Sequence, residues 1–183
     1  MSMLDDEKRF YERFWALHRD PMLVRIFAEF GPEPFRRSSV LEGFEPFLQM
    51  TGFRGKRCVE IGTWKGLTAL VLARYFDEVV SIDIAPDPDR ERIAAFAGVG
   101  NVRFVTVMDN ADKARMIGHL DFDAAYVDGD HANDTPLDFG LVERCGRVLF
   151  HEFWAAQPAV AEFVIGLTPA EAKGKFALWR AHG

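Results

Sequence analysis

Two short stretches of the chain concentrate ionisable side chains. Asp128-Gly129-Asp130-His131 follows an apolar run that ends at Val127, and His151-Glu152 follows another that ends at Phe150. An apolar strand that turns acidic where it reaches water would look the same, so one such cluster means little and two are more suggestive. The chemistry open to these residue types is help for a weak nucleophile. A neutral hydroxyl needs a base or a metal to help its proton leave. A histidine with a pKa near 6.5 is matched to neutral pH. Carboxylates with an imidazole can instead hold a divalent cation that binds the hydroxyl oxygen.

A third stretch, RCVEIGTWKG over residues 57–66, carries Glu60 inside an apolar run, breaks at Gly62 and meets a second glycine at Gly66. Such glycines let the backbone turn sharply and approach a ligand, although a tight turn and close helix packing need them equally. Asp83 closes the next apolar run, 21 residues after Gly62. Dinucleotide-binding chains place an acid about 20 residues on, where it accepts hydrogen bonds from ribose hydroxyls. Together the glycine loop and the spaced acid point to an adenosine ligand rather than to a capping aspartate. A ligand with phosphates would set them against the first loop, facing Glu60. At ~6 Å and an effective dielectric of ~20 that repulsion is about 3 kcal/mol. The loop also lacks the G-x-G-x-x-G order and the G-K-[ST] ending. S-adenosylmethionine, with adenosine, no phosphate and a cationic sulfonium, escapes the cost.

The elements that must position these residues divide into two textures. Residues 1–56 read as a helical N-terminal cap. Phe10 and Phe14, and Tyr11 and Trp15, lie four apart on one broad face. Pro21 ends that helix, a second runs over 22–30, and a third starts near Ser39, with Glu42 at capping-box spacing and Pro46 as a kink or stop. Residues 57–183 alternate strand and helix. Strands are predicted over 57–62, 78–84, 101–107, 122–128, from 147, and over 175–181, with helices between the first five. The predicted fold is α/β and Rossmann-like: one structural domain, a mainly parallel sheet of order 3-2-1-4-5 plus one or two C-terminal strands, helices on both faces. Ligands then bind at the carboxyl ends of the strands.

Composition narrows the partners. A chain of 183 residues suits one domain, and a net charge of −6 with no basic run argues against nucleic acid and anionic membranes. The charged start is unlike a signal peptide, and no apolar stretch nears the ~20 residues a membrane span needs. Cys58 and Cys145 read as reduced core residues, so a cytoplasmic location is expected.

VEIGTWKG, the later SIDI and YVDGDH resemble class I S-adenosylmethionine-dependent methyltransferases, and are most similar to the small O-methyltransferase branch whose fourth strand ends in a DGDH-type motif, related to catechol O-methyltransferase-like enzymes. The resemblance runs from about Arg57 to Leu167. It implies that Glu60, Gly62, Thr63 and Gly66 line the methionine part of the cofactor. Asp83 would hold the ribose and Ile84 would lie beside the adenine. Asp109 and Asn110 would meet the adenine edge, unless they only cap a helix. The metal-using relatives take an aspartate at the end of strand four and two adjacent ligands after strand five, here Asp128, His151 and Glu152. Their catalytic lysine position falls on His131, a candidate base, with Asp128 placing substrate or metal. His-Glu departs from that family's ligand pair, and only one C-terminal strand is evident where the family has two.

The leading expectation is methyl transfer from S-adenosylmethionine to an oxygen of a small molecule. A degenerate, non-catalytic S-adenosylmethionine binder is a rival, and an NAD-dependent oxidoreductase a weaker one. The aromatic N-terminal helices suit packing at the sheet edge, a homodimer face or a lid. Phe153 and Trp154 suit a pocket wall or the core, and Arg36 and Arg37 an anionic substrate or plain surface.

Overall fold

A computed structural model describes residues 3–17, 19–129, 134–153 and 157–181. Three helices come first, α1 (Met3–Ala16), α2 (Pro21–Phe30) and α3 (Phe44–Thr51). Then follow β1 (Gly55–Ile61), α4 (Leu67–Leu72), β2 (Phe76–Asp83), α5 (Asp89–Ala97), β3 (Val102–Thr106), α6 (Asn110–Gly118), β4 (Ala124–Val127), α7 (Thr135–Val142), β5 (Arg147–Phe150), α8 (Pro158–Gly166), β6 (Glu171–Lys173) and β7 (Phe176–Arg180).

The seven strands form one sheet of order β3-β2-β1-β4-β5-β7-β6. The first five pair in parallel, as the alternation of strand and helix predicts, and β7 runs antiparallel to both β5 and β6. Strand order reverses between β1 and β4, where a crevice opens at the carboxyl ends. The C-terminal hairpin that the resemblance implies is complete. Its outer strand, Glu171-Ala172-Lys173, is three residues long and mostly charged, so it shows no apolar alternation; Gly174, at φ 61°, sits in the turn to β7.

Both faces of the sheet are buried. Cys58, Val79, Tyr126, Leu149 and Phe176 pack under α1–α5, whereas Val59, Val80, Ala125, Val148 and Ala177 pack with Ile117, Phe139 and Val164 of α6, α7 and α8. Pro46 does not kink the third helix. The break comes earlier, where Gly43 at φ 87° separates a 3-10 turn (Ser39–Glu42) from α3, leaving Pro46 in the first helical turn, where no intrahelical N–H is needed. Among the described residues no helix is long and apolar enough to cross a membrane.

Candidate active site

Gly62, Asp83, Asp128 and His151 each directly follow or end a parallel strand, and the register brings them to one rim. Gly62 donates its N–H to Ile82 O (2.9 Å), Asp128 to Ile61 O (2.8 Å) and His151 to Val127 O (3.1 Å). A cavity of about 340 Å³ opens there, within the range of small-molecule sites. Gly62, Thr63, Trp64, Asp83, Ile84 and Asp128 are among its walls. Gly62 has φ 94°, and a Cβ on it would overlap the carbonyl of Asp128, so strand β4 itself demands the glycine.

Asp83 holds the first loop in shape. Its Oδ2 accepts from the backbone N–H of Thr63 (2.9 Å) and Trp64 (3.0 Å), and pairs with Arg90 (3.0 Å); its Oδ1 accepts from Ala85 N–H (3.0 Å). Arg90, 3% exposed, also donates to Trp64 O (2.6 Å). The loop is thus clamped from both sides while Trp64 holds a left-handed φ of 48°. Asp83 Oδ1, with a single acceptor role filled, retains capacity for a ligand hydroxyl.

Glu60 corrects the sequence reading. Its carboxyl is fully buried, faces the helices α1–α5 and not the cavity, and accepts from Ser81 Oγ, which in turn lies 2.7 Å from Thr63 Oγ1. Burial pushes its pKa well up, and its Oε1 has no hydrogen-bond partner, which a neutral acid tolerates far better than a carboxylate. Glu60 is not among the walls of the cavity, so the close approach to phosphate assumed for it is not what the structure places there. Gly66 also lies off the cavity wall, where φ 82° and the ring of Phe104 account for it. Asp109 and Asn110 are likewise absent from that wall. Asp109 caps α6 by accepting from Asp112 N–H (2.8 Å), and Asn110 reaches Asp134 (3.5 Å). Ile84 is on the wall, and is exposed.

Around Asp128 a charged network forms. His151 Nδ1 lies 2.7 Å from Asp128 Oδ1 and its Nε2 lies 2.7 Å from Glu42 Oε2. The Tyr126 phenol donates to Asp128 Oδ2 (2.8 Å) and sits 2.9 Å from Ser39 Oγ. Lys175 reaches Glu42 Oε1 (2.6 Å) and Glu152 Oε1 (3.4 Å). Burial alone would lower the His151 pKa, but the Asp128 charge and bonds to Asp128 and Glu42 outweigh it and raise it to about 9. In Glu42 burial acts upward and is outweighed by His151 and Lys175, so its pKa is lowered. Burial and then Asp128 hold the Tyr126 phenol well above its usual value.

The three donors expected for a metal therefore straddle the imidazole. Asp128 is at Nδ1, while Glu152 is 3.9 Å from Nε2. The group that does converge is Glu42, His151 and Glu152, with donor atoms within 4.8 Å of one another, and there a Lys175 ammonium and the imidazolium already neutralise the carboxylates. Such a donor set is a poor fit for a divalent ion. Glu42 is the residue that sequence reasoning missed. It was legible only as a capping residue, and nothing local places it against a histidine 109 positions away. Asp130, His131 and Trp154 lie outside the described residues. Phe153 packs against the apolar cluster under α7 and α8.

Residues 59–153, more than half of the chain, match the family described as "Methyltransferase domain". The chain belongs to this methyltransferase family. Solved structures share its fold. Cofactor-bound Rv0187 from MTB superposes with a TM-score of 0.72 at 18% identity, over 93% of this chain and 95% of that one. An O-methyltransferase from Bacillus cereus in complex with SAH gives 0.62 at 14%, over 95% and 91%. Precorrin 8w decarboxylase of Methanobacterium thermoautotrophicum gives 0.57 at 18%, over 75% and 89%. At these identities the likeness concerns the methyltransferase fold, which carries more than one chemistry. No curated protein matches the sequence.

Proposed function

We propose that this methyltransferase moves the methyl group of S-adenosylmethionine to an oxygen of a small cytoplasmic molecule. The observation that carries the reading is the pairing of two cavities. The first, at the ends of β1, β2 and β4, adjoins a second of about 810 Å³, and Arg37, Ser38 and Asp128 line both. Donor and acceptor can thus meet across Asp128. The walls of the first cavity suit the cofactor: Gly62 and Thr63 for the methionine part, Asp83 for the ribose, Ile84 for the adenine face. Bound there, the cofactor supplies an electrophilic methyl on a sulfonium.

The chain's own residues do the rest. Tyr126 and His151 hold both oxygens of Asp128, which fixes the carboxylate beside the acceptor hydroxyl. As the oxygen–carbon bond forms and the carbon–sulfur bond breaks, the hydroxyl proton passes to a base. His131 takes that role in this reading, three positions beyond Asp128. Residues 1–56 act as the cap that closes the second cavity, through Phe10 and Leu41. A bound metal forms no part of the proposal.

Thermal unfolding with S-adenosylhomocysteine tests the cofactor half. A ligand at 100 times its dissociation constant adds about 2.7 kcal/mol, so a clear rise in Tm is expected with it and none with NAD. The reverse pattern would favour an oxidoreductase. A methyl-acceptor screen, run with and without EDTA, tests the rest. Transfer that survives chelation and is lost in His131→Ala is expected. Binding of the homocysteine analogue with no acceptor turned over would favour the non-catalytic binder.

A further inference from the structure

The second cavity has walls of different charge. On its inner side Glu42, Asp128 and Glu152 are set against His151 and Lys175. Its outer side is built by α1 and the segment before the 3-10 turn. Asp6, Arg9, Phe10 and Arg13 line it at the spacing of one helical face, and Arg36 and Arg37 complete it. Four guanidinium groups and one carboxylate therefore face the space from that side, in a chain whose net charge is −6.

These cations are partly engaged within the chain, Arg9 included. Arg36 pairs with Glu7 (2.6 Å) and lies over the Phe10 ring, and Arg13 is 3.6 Å from Glu42. Arg37 lies over the Trp64 ring, 5.2 Å from its centroid, and makes no ion pair with a described residue. Like charges gathered in a concave space repel one another and focus a positive potential, which an anion relieves. Guanidinium groups match the planar geometry of carboxylates and phosphates.

We infer that the methyl acceptor is an anionic small molecule, whose phosphate or carboxylate docks against Arg9, Arg13 and Arg37 while its nucleophilic oxygen reaches Asp128. This rests on the methyl-transfer reading of the adjoining cavity. It gives α1 a role in substrate choice as well as in packing.

Calorimetric titration of inorganic pyrophosphate, and separately of citrate, into the protein saturated with S-adenosylhomocysteine tests the inference. Saturation keeps either anion out of the first cavity. At least one anion should bind, and the Arg9→Gln/Arg13→Gln double variant should bind it at least tenfold more weakly, since charge-assisted contacts are lost. The anion that binds more tightly tells phosphate from carboxylate. No binding of either anion, or undiminished affinity in the variant, overturns the inference. S-adenosylhomocysteine affinity, expected unchanged in the variant, reports its folding; if the double variant fails to fold, Arg9→Gln alone, at an exposed position outside the first cavity, replaces it. If S-adenosylhomocysteine does not bind the natural protein, the methyl-transfer reading falls, and the same titrations without it still decide whether the arginine wall binds anions.

Discussion

His151 sits between two carboxylates and keeps its proton to about pH 9. A histidine whose pKa is raised on folding contributes stability that is complete below its unfolded value, near 6.5, and is lost as the pH climbs through about 9. A shift of that size corresponds to roughly 3 kcal/mol. Urea unfolding of the natural protein and of His151→Gln should therefore differ most at pH 6 and converge by pH 10. A pH-independent difference would mean that the imidazole is not charged between its partners. On the acid side Glu42 behaves oppositely. Its pKa is lowered, so its contribution is present above 4.5 and fades as the pH falls through the lowered value. Gly62 makes a second prediction at this scale. Gly62→Ala sets a Cβ against the Asp128 carbonyl at a φ that side chains avoid, and should cost roughly 2 kcal/mol or more in unfolding free energy.

Among the elements, the β1–α4 loop depends on a single acid at the end of β2. Asp83→Ala removes the acceptor of two loop N–H groups and the partner of Arg90 together. S-adenosylhomocysteine affinity should fall at least tenfold, with faster amide exchange at Thr63 and Trp64. Weakened binding with unchanged loop exchange would assign Asp83 to the ligand alone. The same elements show how much the sequence discloses. β1, β2, β4 and β5 are readable because each holds an apolar stretch buried on both faces, β3 at the sheet edge by its β-branched and aromatic residues, and the glycine and acid spacing reveals which rim matters. β6 is not readable, being short and charged at the sheet edge. Nor can a sequence tell which way a strand glutamate faces. Glu60 pairs in register with Ser81 and Tyr126, so its side points under the helices, and only that geometry turns a supposed ligand contact into a buried acid. Asp109 illustrates a related ambiguity, since helix capping and ligand contact use the same residue at the same loop end.

Across the whole molecule the charged network joins segments that are remote in the chain. Glu42 lies in the 3-10 turn between α2 and α3, Asp128 follows β4, His151 follows β5 and Lys175 lies in the C-terminal hairpin turn, with separations of 109 and 133 residues from Glu42 to His151 and Lys175. Periodicity and capping rules act over a few residues, so such a network is invisible to them. The arrangement makes the cap, the sheet and the hairpin electrostatically interdependent. Removing the Glu42 charge takes the carboxylate at Nε2 from the imidazolium and leaves the Lys175 ammonium beside Glu152. In Glu42→Gln the His151 titration midpoint, followed by NMR of the imidazole nitrogens, should drop from about 9 by about one pH unit. Because the cap and the hairpin share Glu42, amide exchange should quicken in the Ser39–Glu42 turn and around Gly174 together. Quickening confined to the turn, with the histidine midpoint unmoved, would show that Asp128 alone holds the proton on His151 and that the two ends of the chain are joined only by packing.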